Sequence, residues 1–178
     1  MDPSPLSPLE ARVLGVLVEK QRSVPDTYPM SLNALVAGCN QKTSRSPIMN
    51  ATEAEVLEAL DALKHRSLVV ETSGGRVMRY AHNAERALGL PSQSVALLAT
   101  LALRGPQTAA ELRSNSDRLH RFADVSAVEA FLHELAERPA GELRARRARL
   151  RRASRAGAFE GSRAPRSSVG NGRLRRLR

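Results

Sequence analysis

The sequence predicts a mainly α protein with small β-hairpins, an α+β class made of two tandem copies of one helical unit. Three observations carry this. Apolar stripes at helical spacing recur in both halves, and polar cap residues of the same kind precede the helices in both. An extended, glycine-broken run follows the third helix of the first half. Three helices followed by a hairpin make a winged helix, so the expectation is two tandem winged-helix domains, the second with an incomplete wing.

Each element has its own warrant. Ser7 and Glu10 have capping-box spacing, and Pro8 falls at the first helical position, where its missing N–H would be unpaired anyway. Val13, Leu14, Leu17 and Val18 then form one apolar stripe that fades near residues 20–23. Pro25, Asp26 and Pro29 make a turn, and Ser31 caps a second helix carrying Leu32, Leu35 and Val36. Thr52 with Glu55 opens a third helix, striped by Val56, Ala59, Leu60 and Leu63. Residues 68–71 and 76–81 are extended runs around Ser73, Gly74 and Gly75, and glycines at the tip admit positive φ.

The second copy begins at Leu90. Leu97, Leu98 and Leu101 lie 84 positions after Val13, Leu14 and Leu17; Leu112 lies 77 after Leu35; Val128, Leu132 and Leu135 lie 72 after Val56, Leu60 and Leu63. Falling offsets mean shorter loops between helices of unchanged spacing. Thr108 with Glu111 and Ser126 with Glu129 are the expected caps. The expected boundaries are a first domain over 1–85, the helical part of a second over 86–140, and a tail over 141–178.

The formal charge of +10 is unevenly held. Residues 1–140 contain 15 Lys/Arg and 16 Asp/Glu, whereas residues 141–178 contain 13 and 2. The body therefore gives no bulk electrostatic argument for nucleic acid, while the tail would grip polyanions without sequence preference. Arg, Ala, Gly, Ser and Pro dominate the tail, and its few apolar residues predict disorder. Two origins fit it, a native basic arm or a slipped reading frame in a GC-rich gene; the composition favours the slip.

Residues 1–10 lack a basic n-region and a long apolar run, and the longest apolar stretch, residues 95–103, is far short of a span, which reads as a cytoplasmic protein. Cys39 is the only cysteine, so no internal disulfide forms; its bland reading is a buried thiol. His65, His82, His120 and His133 have no metal-pair spacing, and no phosphate loop, nucleophile elbow or paired-carboxylate motif is present. The expectation is a non-enzymatic protein with no catalytic residue, metal or cofactor.

Several stretches closely resemble the YceH family of bacterial proteins. They are Leu9-Glu10-Ala11-Arg12-Val13-Leu14, Glu19-Lys20-Gln21, Tyr28-Pro29-Met30-Ser31-Leu32-Asn33, the polar run from Cys39 through Asn50, and Leu103-Arg104-Gly105-Pro106-Gln107-Thr108 followed by Glu111-Leu112-Arg113. The resemblance runs from about Leu6 to about Gly141. It implies tandem winged helices in an intracellular bacterial protein, and it offers no catalytic residues to carry over.

Sites follow from the same reading. The third helix presents Glu53, Glu55, Glu58 and Asp61, acids that repel phosphate, so its insertion into a DNA groove is not expected. The loop before it is a longer polar run than its turn needs. Its Asn40, Gln41, Lys42, Thr43, Ser44 and Arg45, with Arg76 and Arg79 on the wing and Lys20 and Arg22 nearby, are the candidate phosphate- or partner-contacting residues. The first functional reading is a DNA-associated regulator that holds duplex phosphates through this loop and wing. The alternative is a protein-protein adaptor or homodimerising module.

Overall fold

The computed structural model of the chain describes residues 5–73 and 75–138. Ser7 adopts an extended backbone, its hydroxyl accepts from the Glu10 N–H at 3.1 Å, and the Glu10 carboxylate accepts from the Ser7 N–H at 3.2 Å. With both donors satisfied, α1 (Pro8–Ser23) starts there. Arg12, Val13, Gly15, Val16, Leu17 and Val18 are all buried, so α1 is enclosed on most of its circumference rather than along one stripe.

After a 3-10 turn (Pro25–Thr27), a two-residue strand β1 (Met30–Ser31) leads into α2 (Leu32–Cys39), capped by Ser31, whose hydroxyl accepts from the Ala34 N–H. The expected capping box of Thr52 and Glu55 opens α3 (Glu53–His65), which buries the four stripe residues Val56, Ala59, Leu60 and Leu63. The hairpin is β2 (Val69–Ser73) and β3 (Met78–His82). The sheet is antiparallel with order β1-β3-β2, registered by Met30 opposite Tyr80 and Glu71 opposite Tyr80 on its two sides. Side chains alternate along each strand, so Met30, Val69 and Tyr80 enter the core while Val70 and Arg79 stay outside.

The short helix α4 (Ala84–Leu88) was not foreseen; it ends at Gly89, whose φ of 61° is the left-handed stop that a glycine supplies without strain. The expected boundary between residues 85 and 86 falls inside it. Then come α5 (Ser92–Arg104), α6 (Ala109–Asn115) with the expected Thr108–Glu111 box, and α7 (Val125–Glu137). The cap of α7 is Asp124, not Ser126: the Asp124 carboxylate accepts from the Ala127 N–H at 2.8 Å, and aspartate is as good a cap as serine.

Buried apolar residues form three clusters. One lies among α1, α2, α3 and the sheet and takes in Ala87 and Leu103; one joins Val18 and Ala84 to Leu90, Val95 and Ala99; one joins Leu97, Leu112 and Val128 of α5, α6 and α7 with Phe122 from the α6–α7 connection. α1 packs close against α5 at Gly15, where an added Cβ would stand 3.0 Å from the Leu103 Cγ and 3.3 Å from the Ala99 carbonyl oxygen. Leu98, expected on the core stripe, is instead exposed. The tail over 141–178, with its expected disorder and its two possible origins, lies outside the described residues, as do the positions where a second wing would stand.

Candidate functional site

The polar run between α2 and α3 is held from beneath by two arginines. The Arg45 side chain is wholly out of solvent; its Nε donates to the Gly38 carbonyl at 3.1 Å, its Nη1 to the Ser44 carbonyl at 3.0 Å, and its Nη2 pairs with the Glu19 carboxylate. Arg12 is equally buried and donates to the carbonyls of Cys39 at 3.0 Å and Pro47 at 2.7 Å, leaving its Nε enclosed without a partner. Burial pushes the Arg12 pKa down, and Arg45 nearby adds to the effect. Two carbonyls at the end of α2 and two in the loop are thus tied by charge-assisted bonds, the stronger kind of hydrogen bond.

The other loop residues divide between structure and surface. Asn40 clamps Ala51, donating to its carbonyl at 2.8 Å and accepting from its N–H at 2.7 Å. Among the described residues Gln41 bonds within the loop, to Thr43. Ser44 has a positive φ of 58°, and its hydroxyl accepts from Arg104 of α5 at 2.8 Å, while the Ser46 N–H donates to the Leu103 carbonyl. Lys42 is exposed. The loop is therefore braced against the second half of the chain.

On the wing, Arg76 is exposed, and Arg79 is exposed while donating to the Pro29 carbonyl at 2.9 Å. Both line a cleft of about 540 Å³ with Ser31, Asn33, Glu53, Val77 and Met78. Gln41, Thr43, Ser44 and Arg45 line a different cleft of about 430 Å³, shared with the ends of α1, α5 and α6. The structure thus separates the loop and wing residues that the sequence grouped on one phosphate-contacting surface. Arg45 is buried and paired with Glu19, and Arg22 is engaged with Glu85 at 3.3 Å.

Cys39 is free and buried, and burial raises its thiol to about 11 against the opposing pull of Arg12 and Arg45. At neutral pH it is a protonated, enclosed thiol. His82 is pinned between Gln21, at 2.7 Å from its Nε2, and the Ala84 N–H, and it packs against Tyr28. Among the described residues no group of His, Cys, Asp and Glu is arranged to hold a metal ion. No helix among them is long and apolar enough to cross a membrane.

Sequence reasoning missed Arg12, although a signal existed. Leu9, Arg12, Val13, Val16 and Leu17 follow the spacing of a single buried face, so Arg12 sits where an apolar residue belongs. Glu19 lies seven residues on from Arg12 and thus on the same side of α1.

Fold and clefts together define a small, mainly helical α+β protein with a three-stranded antiparallel sheet and two separate clefts, a polar one under the α2–α3 loop and a more apolar one at the wing. The chain belongs to the family described as "Protein of unknown function, DUF480", whose model matches residues 6–155. That match extends past Gly141, where the resemblance noted above stops. The chain is 72% identical over 132 residues to a UPF0502 protein of Cupriavidus taiwanensis, covering 74% of this chain and 54% of that protein. It is 71% identical over 133 residues to a UPF0502 protein of Burkholderia multivorans (75% and 57%), and 69% identical over 133 residues to one of Leptothrix cholodnii (75% and 60%). YceH names this same family. The chain spans little more than half the length of the curated relatives it matches.

Proposed function

We propose that the chain is a non-enzymatic tandem winged-helix protein that works as a protein-docking adaptor, with its first wing as the docking element. The order α1-β1-α2-α3-β2-β3 with sheet order β1-β3-β2 supports a winged helix over residues 1–85. The separate apolar cluster of α5, α6 and α7 supports a second, helical unit over 86–140.

One surface carries the choice of partner. Val77 is 56% exposed and Met78 44%, both in the wing cleft that Glu53 also lines; Leu57, 40% exposed, lies one helical turn beyond Glu53. Exposed apolar side chains beside arginine and methionine are the composition of a protein interface. The adjacent acids Glu53, Glu55, Glu58 and Asp61 repel a phosphate backbone.

The DNA-associated reading ranks second. It is favoured by exposed Arg76, Arg79 and Lys42, and weakened by the burial of Arg45 and by the separation of loop from wing. Sedimentation of the full chain, alone and with nuclease-treated bacterial extract, separates the two. A complex that Val77→Asp with Met78→Asp abolishes supports docking. Duplex binding that Arg76→Ala with Arg79→Ala abolishes, with wing apolar residues irrelevant, moves the assignment to DNA.

A further inference from the structure

The cleft of about 430 Å³ under the α2–α3 loop plays no part in the docking assignment, and it is built from both halves of the chain. The last turns of α1 and α5, the end of α6 and the turn after it all open onto it. Its lining is more polar than apolar, which suits a hydrophilic guest rather than a greasy one.

Its charges do not cancel. Arg45 is neutralised by Glu19, which leaves Lys20, Arg104 and Arg118 facing the same space. Arg104 is held by the Ser44 hydroxyl, whereas Lys20 and Arg118 have no side-chain hydrogen bond or ion pair among the described residues. Three helix C-termini converge here, and each contributes about −0.5 of a charge, so together they offset about half of the three cations. Lys20 and Arg104, both in last turns, complement those helix ends. Arg118 lies beyond α6 and is surplus to that role. The cleft stays positive.

We propose that this cleft binds a small phosphate monoester, with Lys20 and Arg118 gripping the phosphate and the polar walls receiving the body of the molecule. A dianionic phosphate matches two or three converging cations, and arginine and lysine donate charge-assisted bonds to its oxygens. The volume lies within the range of small-molecule sites. Because Lys20 belongs to α1 and Arg118 follows α6, a bound phosphate ties the two halves together, an effector-like role independent of the wing.

The test uses the full chain, with inorganic phosphate, glycerol phosphate and adenosine monophosphate as probes and adenosine as the control, by calorimetry and thermal melting. Saturable binding of at least one phosphate probe, none of adenosine, and an affinity about a hundredfold weaker in Lys20→Gln with Arg118→Gln are expected, since two charge-assisted bonds are lost. Inorganic phosphate binding as tightly as the esters would show that the walls receive nothing beyond the phosphate and would overturn the monoester assignment. Equal binding by wild type and variant assigns the affinity to the basic tail and overturns it, as does saturable binding of none of the phosphate probes. Arg118→Glu alone, at an exposed position, keeps the test valid if the double variant misfolds. Neither result touches the wing.

Discussion

Arg45 and Glu19 form an ion pair in which the arginine side chain is wholly buried, joining the loop before α3 to the last turns of α1. A residue that reads as a solvated surface cation is thereby a structural post, and the loop's shape depends on it.

Removing one partner of a buried pair strands the other charge, which costs about 3 kcal/mol or more. Glu19→Ala is expected to destabilise the protein by that order. Arg45→Met, which removes the buried charge itself and keeps the volume, is expected to cost less. Urea denaturation of the two variants checks the order; equal costs would show that the charge left behind does not matter.

Gly38 packs α2 against α1 so closely that an added Cβ would stand 2.6 Å from the Val16 Cγ1. Val16 is fully buried and has little room to yield. Gly38→Ala therefore costs about 1–2 kcal/mol despite its better helix propensity, read as a lowered thermal midpoint.

His82 is kept neutral by burial, so its pKa in the fold lies below the usual 6.5, with Glu85 opposing and Arg22 assisting. Below pH 6.5 the unfolded chain takes up the proton first, so this contribution to stability is present above that pH and is lost as pH falls through it. The melting midpoint of wild type should drop faster between pH 7 and pH 5 than that of His82→Gln, with pH steps on the order of the shift itself. Parallel curves for the two proteins would remove His82 from the account.

Thr52→Ala and Thr108→Ala each remove a cap hydroxyl that accepts a backbone N–H and bonds the glutamate three residues on. Each should cost about 1 kcal/mol. Ser126→Ala, predicted by sequence to be equivalent, should cost far less because Asp124 caps α7.

The helices were legible because caps and stripes are local: Ser7, Ser31, Thr52 and Thr108 each announce a helix in neighbouring residues. The two-residue β1 and the five-residue α4 were not, since each exists through its partners, Tyr80 and Arg79 for β1 and the apolar cluster around Ala87 for α4. The site was half legible. The loop from Asn40 to Arg45 stood out by its length, yet whether its cations face water or core is set by Gly38, Glu19 and Arg104, which are distant in sequence or belong to other elements. Arg12 alone betrayed itself, by occupying a core position of a helix.

The most direct test of the docking assignment is affinity capture from nuclease-treated bacterial extract, comparing full-length wild type with Val77→Asp combined with Met78→Asp. The account predicts a defined protein, or a second copy of the chain, retained by wild type and lost in the variant. The same retained set for both, or a complex that disappears with nuclease and with Arg76→Ala and Arg79→Ala instead, would contradict it.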